Sequence, residues 1–184
     1  MNKKLLTKTL IASALVLTTV GSGFHSSSNY NGINNVAKAS EITDSELWKN
    51  VRDALKDANI IDKTDNETIK VKYKLKNGGE SEISGTANLD NLSNTNNSTV
   101  SPDSVNRVDI TRVNPNGNKL DANDAWKKLT QSLKEKNIVK DGDTVTIHSK
   151  DSTDPKISGK VGQDFTDHRN YMLDKKDIDK ITIN

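Results

Sequence analysis

The sequence of 184 residues contains no cysteine. This absence excludes disulfide bonds, thiolate metal ligands and a cysteine nucleophile together. It also removes the covalent cross-link that usually stabilises a small extracellular fold, so the fold must depend on its buried core.

A long basic run and a membrane-length apolar run are also missing. Lys and Arg number 27 against 25 Asp and Glu, which gives a net charge of +2. Because phosphate binding depends on clustered Lys and Arg, we expect no nucleic-acid partner. The main apolar run, residues 10–20, is shorter than the roughly 20 residues that a spanning helix needs, so we expect no membrane insertion.

Residues 1–39 follow the pattern of an export signal. A basic start (MNKK) precedes the apolar run, and the small residues Ala37 and Ala39 stand just before Ser40. Small residues at these two positions fit a signal-peptidase site. The sequence therefore predicts a signal peptide over residues 1–39 and a secreted, extracellular product with a net charge of −2, since the leader holds four lysines and no acid.

Motifs of known enzymes are absent. We find no G-x-S-x-G nucleophile elbow, phosphate-binding glycine loop or calcium-binding loop. His148 alternates with Ile147 in a predicted strand and should face outward, whereas a general base needs a nucleophile and an orienting group within hydrogen-bond reach. His168, between Asp167 and Arg169, is the better candidate for ligand contact. We predict no catalytic residue, no cofactor and no metal ligand.

The most informative feature of the chain is an internal repeat. Residues 45–61 (SELWKNVRDALKDANII) align without a gap with residues 123–139 (NDAWKKLTQSLKEKNIV), with six identities in seventeen positions. Three later blocks recur in the same order: Ile69-x-Val71 with Val145-x-Ile147, Ile83-Ser84-Gly85 with Ile157-Ser158-Gly159, and Val105-x-x-Val108-x-Ile110 with Ile178-x-x-Ile181-x-Ile183. Chance does not explain four blocks in one order.

Each repeat should begin with an amphipathic helix. Thr43 and Glu46 have the spacing of a capping box, and apolar residues then recur on one face. Asp121 can cap the second helix in the same way. We expect Trp48 and Trp126 to fill the core between helix and sheet, because an indole buries a large apolar area.

The helix should be followed by a hairpin and a later strand. Residues 69–75 alternate apolar side chains with lysine, and Asn77-Gly78-Gly79 then turns the chain back. The predicted fold is α+β, with two tandem β-grasp-like repeats, each a helix packed on a small mixed sheet.

The predicted domains are residues 40–113 and residues 114–184. Within the first, residues 86–104 are almost all Asn, Ser, Thr and Asp, which is typical of a mobile loop. Residues 112–118 (RVNPNGN) are predicted to be the linker. Each repeat of about 70 residues is marginal alone, so we expect the two to pack against one another.

These segments resemble a known group of secreted proteins. The ending FTDHRNYMLDKKDIDKITIN is similar to the terminal segment of the staphylococcal superantigen-like exoproteins, which closes a β-grasp domain. The segment KVKYKLKNGGESEI resembles the same domain and the repeats of the extracellular adherence proteins, and a leader ending in AKAS is similar to staphylococcal leaders. Two units without an OB-fold barrel are closer to the adherence-type arrangement.

The resemblance implies a virulence or immune-evasion protein, not an enzyme, that binds and blocks a host extracellular or neutrophil protein. The alternatives are an adhesin for matrix or plasma proteins and, from another class, a secreted hydrolase that uses His168. Lysines on a strand also protect a sheet edge, so the basic strand has a structural explanation as well. The candidate binding residues are His168, Arg169, Tyr171, Lys70, Lys72 and Lys74.

Overall fold

The computed structural model describes residues 40–62, 64, 66–92, 98–115 and 117–184, which belong to one compact unit. The predicted signal peptide lies outside these residues. The boundary predicted between residues 113 and 114 falls inside this unit, so both repeats are parts of one body.

The described residues form two helices and ten strands. The helices are α1 (Asp44–Asp57) and α2 (Ala122–Glu135). The strands of the first repeat are β1 (Ile42–Thr43), β2 (Glu67–Lys74), β3 (Glu80–Thr86), β4 (Thr99–Val100) and β5 (Val105–Arg112). Those of the second are β6 (Lys119–Asp121), β7 (Thr144–Ser149), β8 (Ile157–Lys160), β9 (Met172–Asp174) and β10 (Ile178–Ile183).

The two repeats have the same order of elements. Each has a short strand, a helix, a hairpin, a second short strand, a 3₁₀ turn and a final long strand, the 3₁₀ turns being Pro102–Ser104 and Lys175–Asp177. In each repeat the two short strands pair with one another, β1 with β4 and β6 with β9. The repeat found in the sequence is therefore present in the structure.

The six long strands form one continuous sheet in the order β3-β2-β5-β10-β7-β8. Every pairing within it is antiparallel, and the last strands of the two repeats, β5 and β10, lie side by side at its centre. The α+β class is thus observed, but a small mixed sheet for each repeat is not. Joining the repeats removes two exposed strand edges and gives two marginal units one larger core.

Both helices lie on the same side of this sheet. The indole Nε1 of Trp48 donates to the carbonyl of Ile69 at 3.0 Å, and that of Trp126 donates to the carbonyl of Val145 at 2.8 Å. Both indoles are buried, as predicted. A Cβ added at Gly85 would lie 2.9 Å from the ring of Trp48, which explains why glycine occupies that position in the repeated Ile-Ser-Gly block.

The helix boundaries follow the predicted capping residues. Thr43 and Glu46 form both hydrogen bonds of a capping box, and the Asp121 side chain accepts from the backbone of α2. Asn59 and Asn137 follow the two helices with φ of 57°, the left-handed conformation that asparagine tolerates and that commonly ends a helix.

A buried arginine at the end of the first repeat contacts the second repeat. Arg112 Nε donates to Glu67 at 2.9 Å, and both side chains are less than a tenth exposed. The other guanidinium nitrogens donate to the carbonyl of Ile60 at 2.8 Å and to the carbonyl of Ile178 in the second repeat. The sequence had suggested that Arg112 belongs to a linker. Arg112 is instead the last residue of β5 and has a structural role.

The prediction that residues 86–104 form a mobile loop is also partly wrong. Its end contains β4 and the first 3₁₀ turn, and Val100 and Pro102 are buried. Val100 pairs with Ile42 and joins the core, as does Ala87 at the start of the segment, with Leu92 packed against it. Residues 93–97 of the same segment lie outside the described residues.

Candidate functional site

The side of the six-stranded sheet opposite the helices is polar and carries no helix in the described ranges. We call this side the open face. Alternation along each strand and the register between strands place the following residues on it: Thr68, Lys70, Lys72, Lys74, Glu80, Glu82, Ser84, Thr86, Arg107, Asp109, Thr111, Thr144, Thr146, His148, Ser158, Lys160, Lys180 and Thr182. Cations outnumber acids in this set.

Three of the four cations in the first-repeat half of the open face are paired with carboxylates, and among the described residues Lys74 is not. Lys70 lies 2.9 Å from Glu82, and Lys72 lies 3.7 Å from Asp109 and 4.0 Å from Glu82. Arg107 completes the group at 2.7 Å from Asp109. The hydrogen bond from Lys70 is the main reason that the pKa of Glu82 lies below its usual value.

The second-repeat half is built from hydroxyl groups around His148. His148 Nε2 lies 2.9 Å from Thr182 Oγ1, and the Thr146 and Ser158 hydroxyls lie 2.7 Å apart. Partial burial, followed by the charges of Lys180 and Lys156, lowers the pKa of His148 below its ordinary value of 6.5. The imidazole is therefore favoured in its neutral form, inside a positive local field.

The candidate residues near the C-terminus lie in the loop between β8 and β9. His168 has a φ of 57°, and its ring lies edge-on to Tyr171 with 6.4 Å between centroids. The Tyr171 hydroxyl donates to Asp154 at 2.8 Å, and this hydrogen bond is the main reason that the pKa of Tyr171 is raised. Asp154 also accepts from Ser149 at 2.7 Å.

The predicted binding residues thus form two groups. Lys70, Lys72 and Lys74 share the open face, whereas His168 and Tyr171 lie together in the loop before β9, with the exposed Arg169 between them. Within the described part of the chain, no hydrogen bond or ion pair joins the two groups. The structure therefore presents the lysines as part of a surface and the loop residues as a local packing arrangement.

Several residues of the open face were not predicted from the sequence as binding candidates. Arg107, Lys160 and Lys180 were not singled out, and His148 was predicted only to face outward, which the structure confirms. The sequence does contain a pattern that identifies them. Polar and apolar side chains alternate along β5, β7, β8 and β10, and the polar ones lie on the same face as the lysines of β2. What it could not show is that these strands share one sheet.

The sequence matches a known protein family over both repeats. Residues 43–183 match the family described as a domain of unknown function, DUF4888. This match covers most of the chain, so the chain belongs to that family. It runs from the residue that caps α1 to the end of β10, so both repeats and their shared sheet are included in one family domain. No curated protein matches the sequence significantly.

Among the described residues, neither helix has the length and apolar character required to cross a bilayer.

The lowered pKa of His148 predicts a stability that depends on pH. Below pH 6.5 the unfolded chain takes up a proton at this position before the folded chain does, so stability falls as the pH drops from 6.5 to the lowered folded value. His148→Gln, which can still bond Thr182, should flatten this part of the profile. Urea unfolding of both proteins at pH 7.5 and pH 5.5 measures the effect; equal losses in both would contradict it.

Proposed function

We propose that this protein is a secreted, non-enzymatic immune-evasion protein that binds a host defence or plasma protein and blocks it sterically. A neutrophil protease or another innate-immunity factor is the class of partner we favour. In this proposal the repeats are β-grasp-like modules fused through β5 and β10. The observation that supports it best is the open face, a wide charged surface that both repeats build and that no described helix covers.

A protein partner of ordinary size would cover the whole of the open face. With strands about 4.8 Å apart and about 3.3 Å per residue, six strands of about six residues present a face on the order of 500 Å². One partner in a standard interface buries roughly 800 Å². One repeat alone offers only about half of the open face, so a partner of ordinary size has to contact both repeats.

This geometry also separates the proposal from its alternatives. An adhesin that gains avidity from two modules needs two separate sites, whereas the two repeats here build one surface. A hydrolase that uses His168 needs a nucleophile and an orienting group beside that ring. The aromatic neighbour of His168 is Tyr171, and the carboxylate nearby, Asp154, is held by Tyr171 and Ser149.

The proposal is tested by affinity capture with matched charge variants. Residues 40–184 are immobilised and exposed to human plasma and to neutrophil granule extract at near-physiological salt. We expect one host protein to be retained in stoichiometric amount. Lys74→Glu combined with Lys180→Glu changes one exposed or half-exposed lysine of the open face in each repeat, and should reduce this capture by at least tenfold.

The control places the same charge change on the opposite side of the molecule. Lys49→Glu with Lys127→Glu alters two exposed lysines at equivalent positions of α1 and α2. This control should capture the partner as the wild type does. Equal losses in both variants, or weak retention of many matrix proteins, would refute a dedicated partner bound at the open face. Truncation to one repeat is unsuitable, because it would cut the sheet between β5 and β10.

A further inference from the structure

The two halves of the open face differ in how their positive charges are neutralised. The difference is seen at positions that the internal repeat aligns with one another. In the repeated Ile-Ser-Gly block, Glu82 of the first repeat corresponds to Lys156 of the second. In the last block, Asp109 corresponds to Thr182. The two acids that neutralise the first half are therefore replaced by a cation and a hydroxyl group in the second.

This replacement leaves cations without partners. Within the described ranges, Lys156, Lys160 and Lys180 have no carboxylate within 4.0 Å, whereas three of the four cations on the first half do, namely Lys70, Lys72 and Arg107, and Lys74 does not. Lys156 and Lys160 are exposed, and Lys180 is partly exposed. Lys180 is the cross-strand neighbour of His148 in the pairing of β10 with β7, and the charges of Lys180 and Lys156 both lower the pKa of that ring. Asp179 acts on His148 in the opposite direction but more weakly.

The surface between these cations is made of hydroxyl groups. Ser158 is exposed and Thr182 partly exposed beside the His148 ring, and the Thr146 hydroxyl is buried beneath Ser158, 2.7 Å from its hydroxyl. Large apolar side chains that are exposed in the described residues are Leu89, Val113 and Met172, and none belongs to the six-stranded sheet. This half thus combines unpaired positive charge with hydrogen-bond donors and lacks an apolar centre.

We propose that the second-repeat half of the open face binds a sulfated polysaccharide. Sulfate groups remain ionised at physiological pH and accept hydrogen bonds from both ammonium and hydroxyl donors. A single-stranded nucleic acid would need aromatic platforms for its bases, and this half offers only a partly buried imidazole.

The spacing of the cations fits a linear chain with repeated negative charges. Lys156 immediately precedes β8 and Lys160 ends it, a separation of about 13 Å at strand spacing, and β10, which carries Lys180, lies about 10 Å away across β7. A polysaccharide crossing the hydroxyl surface would meet a cation at each end and at one side. This ligand would use half of the surface proposed above for the protein partner, but the test of its binding does not depend on that partner.

Binding of heparin to residues 40–184 tests the inference. We expect measurable affinity at physiological salt, with a logarithm of the association constant that falls linearly as the logarithm of salt concentration rises. Lys156→Gln with Lys180→Gln should weaken binding on the order of tenfold and reduce the salt slope by roughly one for each lysine. An unsulfated polysaccharide should bind neither protein.

The first repeat supplies the control. Lys70→Gln with Lys72→Gln removes the same charge from lysines that are already paired, and should change affinity less than about threefold. Equal losses in the two variants, no binding at physiological salt, or binding of polyglutamate or duplex DNA as tight as that of heparin would each overturn the inference. Thermal unfolding of both variants close to that of the wild type confirms that folding is preserved.

Discussion

Replacing Arg112 with alanine should lower the free energy of unfolding by about 3–5 kcal/mol, because it leaves the buried carboxylate of Glu67 without its counter-ion. The guanidinium also donates to the carbonyls of Ile60 and Ile178, and both acceptors would lose this bond. Since Ile178 belongs to the second repeat, the substitution weakens the junction of the repeats as well as the ion pair. Urea unfolding followed by circular dichroism measures the loss.

Two further variants separate the buried charge from the loss of side-chain packing. Arg107→Ala, on the same strand but in a half-exposed pair with Asp109, should cost less than about 1 kcal/mol. Arg112→Met combined with Glu67→Leu removes both charges and should recover much of the loss, because apolar replacements of a buried pair are often tolerated. A cost for Arg112→Ala as small as that for Arg107→Ala would show that the pair is not structural.

Trp126→Ala should cost about 3–5 kcal/mol, the range for removing a buried indole from a core. The ring stacks on Phe165 with 4.1 Å between centroids, and its Nε1 bonds the carbonyl of Val145. Truncation would therefore leave a cavity and remove one hydrogen bond from a buried carbonyl of β7. The same urea titration applies.

Trp126→Phe is the matched variant, since it keeps an aromatic ring against Phe165 but removes the hydrogen bond to Val145. It should lie between the wild type and Trp126→Ala. A loss below about 1 kcal/mol for Trp126→Ala would mean that the indole is a surface residue and that the second repeat has another core.

The parts of the fold that local sequence determines were predictable. Capping at Thr43 and Asp121, the amphipathic stripe of each helix and the burial of both tryptophans follow from residues within a few positions of one another. The Asn-Gly-Gly turn was equally local, and Gly78 has the positive φ that the turn requires. Because the sequence repeats, predictions made for one half also applied to the equivalent segment of the other.

The pairing of β5 with β10 could not be predicted, because no local pattern says which strand edges meet. The role of Arg112 was missed for the same reason. Its hydrogen-bond partners lie 45, 52 and 66 residues away in sequence, while its neighbours Asn114, Pro115 and Gly117 have the composition of a linker. The long-range contacts of Arg112 thus outweighed a local composition that is typical of a linker.

The candidate site was predictable in part. Alternation identified the lysines of β2 as one face, but it could not show that Glu82 and Asp109 neutralise Lys70 and Lys72. Nor could it show that the Lys180 ammonium has no carboxylate within 4.0 Å among the described residues, although Asp109 is its cross-strand neighbour. Charge balance on a sheet depends on cross-strand neighbours, and these are known only after the strand order is known.

The most direct test of a composite binding surface is an NMR titration of isotopically labelled residues 40–184 with the captured host protein. Shifts should concentrate at open-face residues of both repeats, including Lys72 and Thr182, and leave the exposed side of α1 and α2 unchanged. Shifts confined to one repeat, or to the helices, would contradict binding at a surface that the two repeats build together.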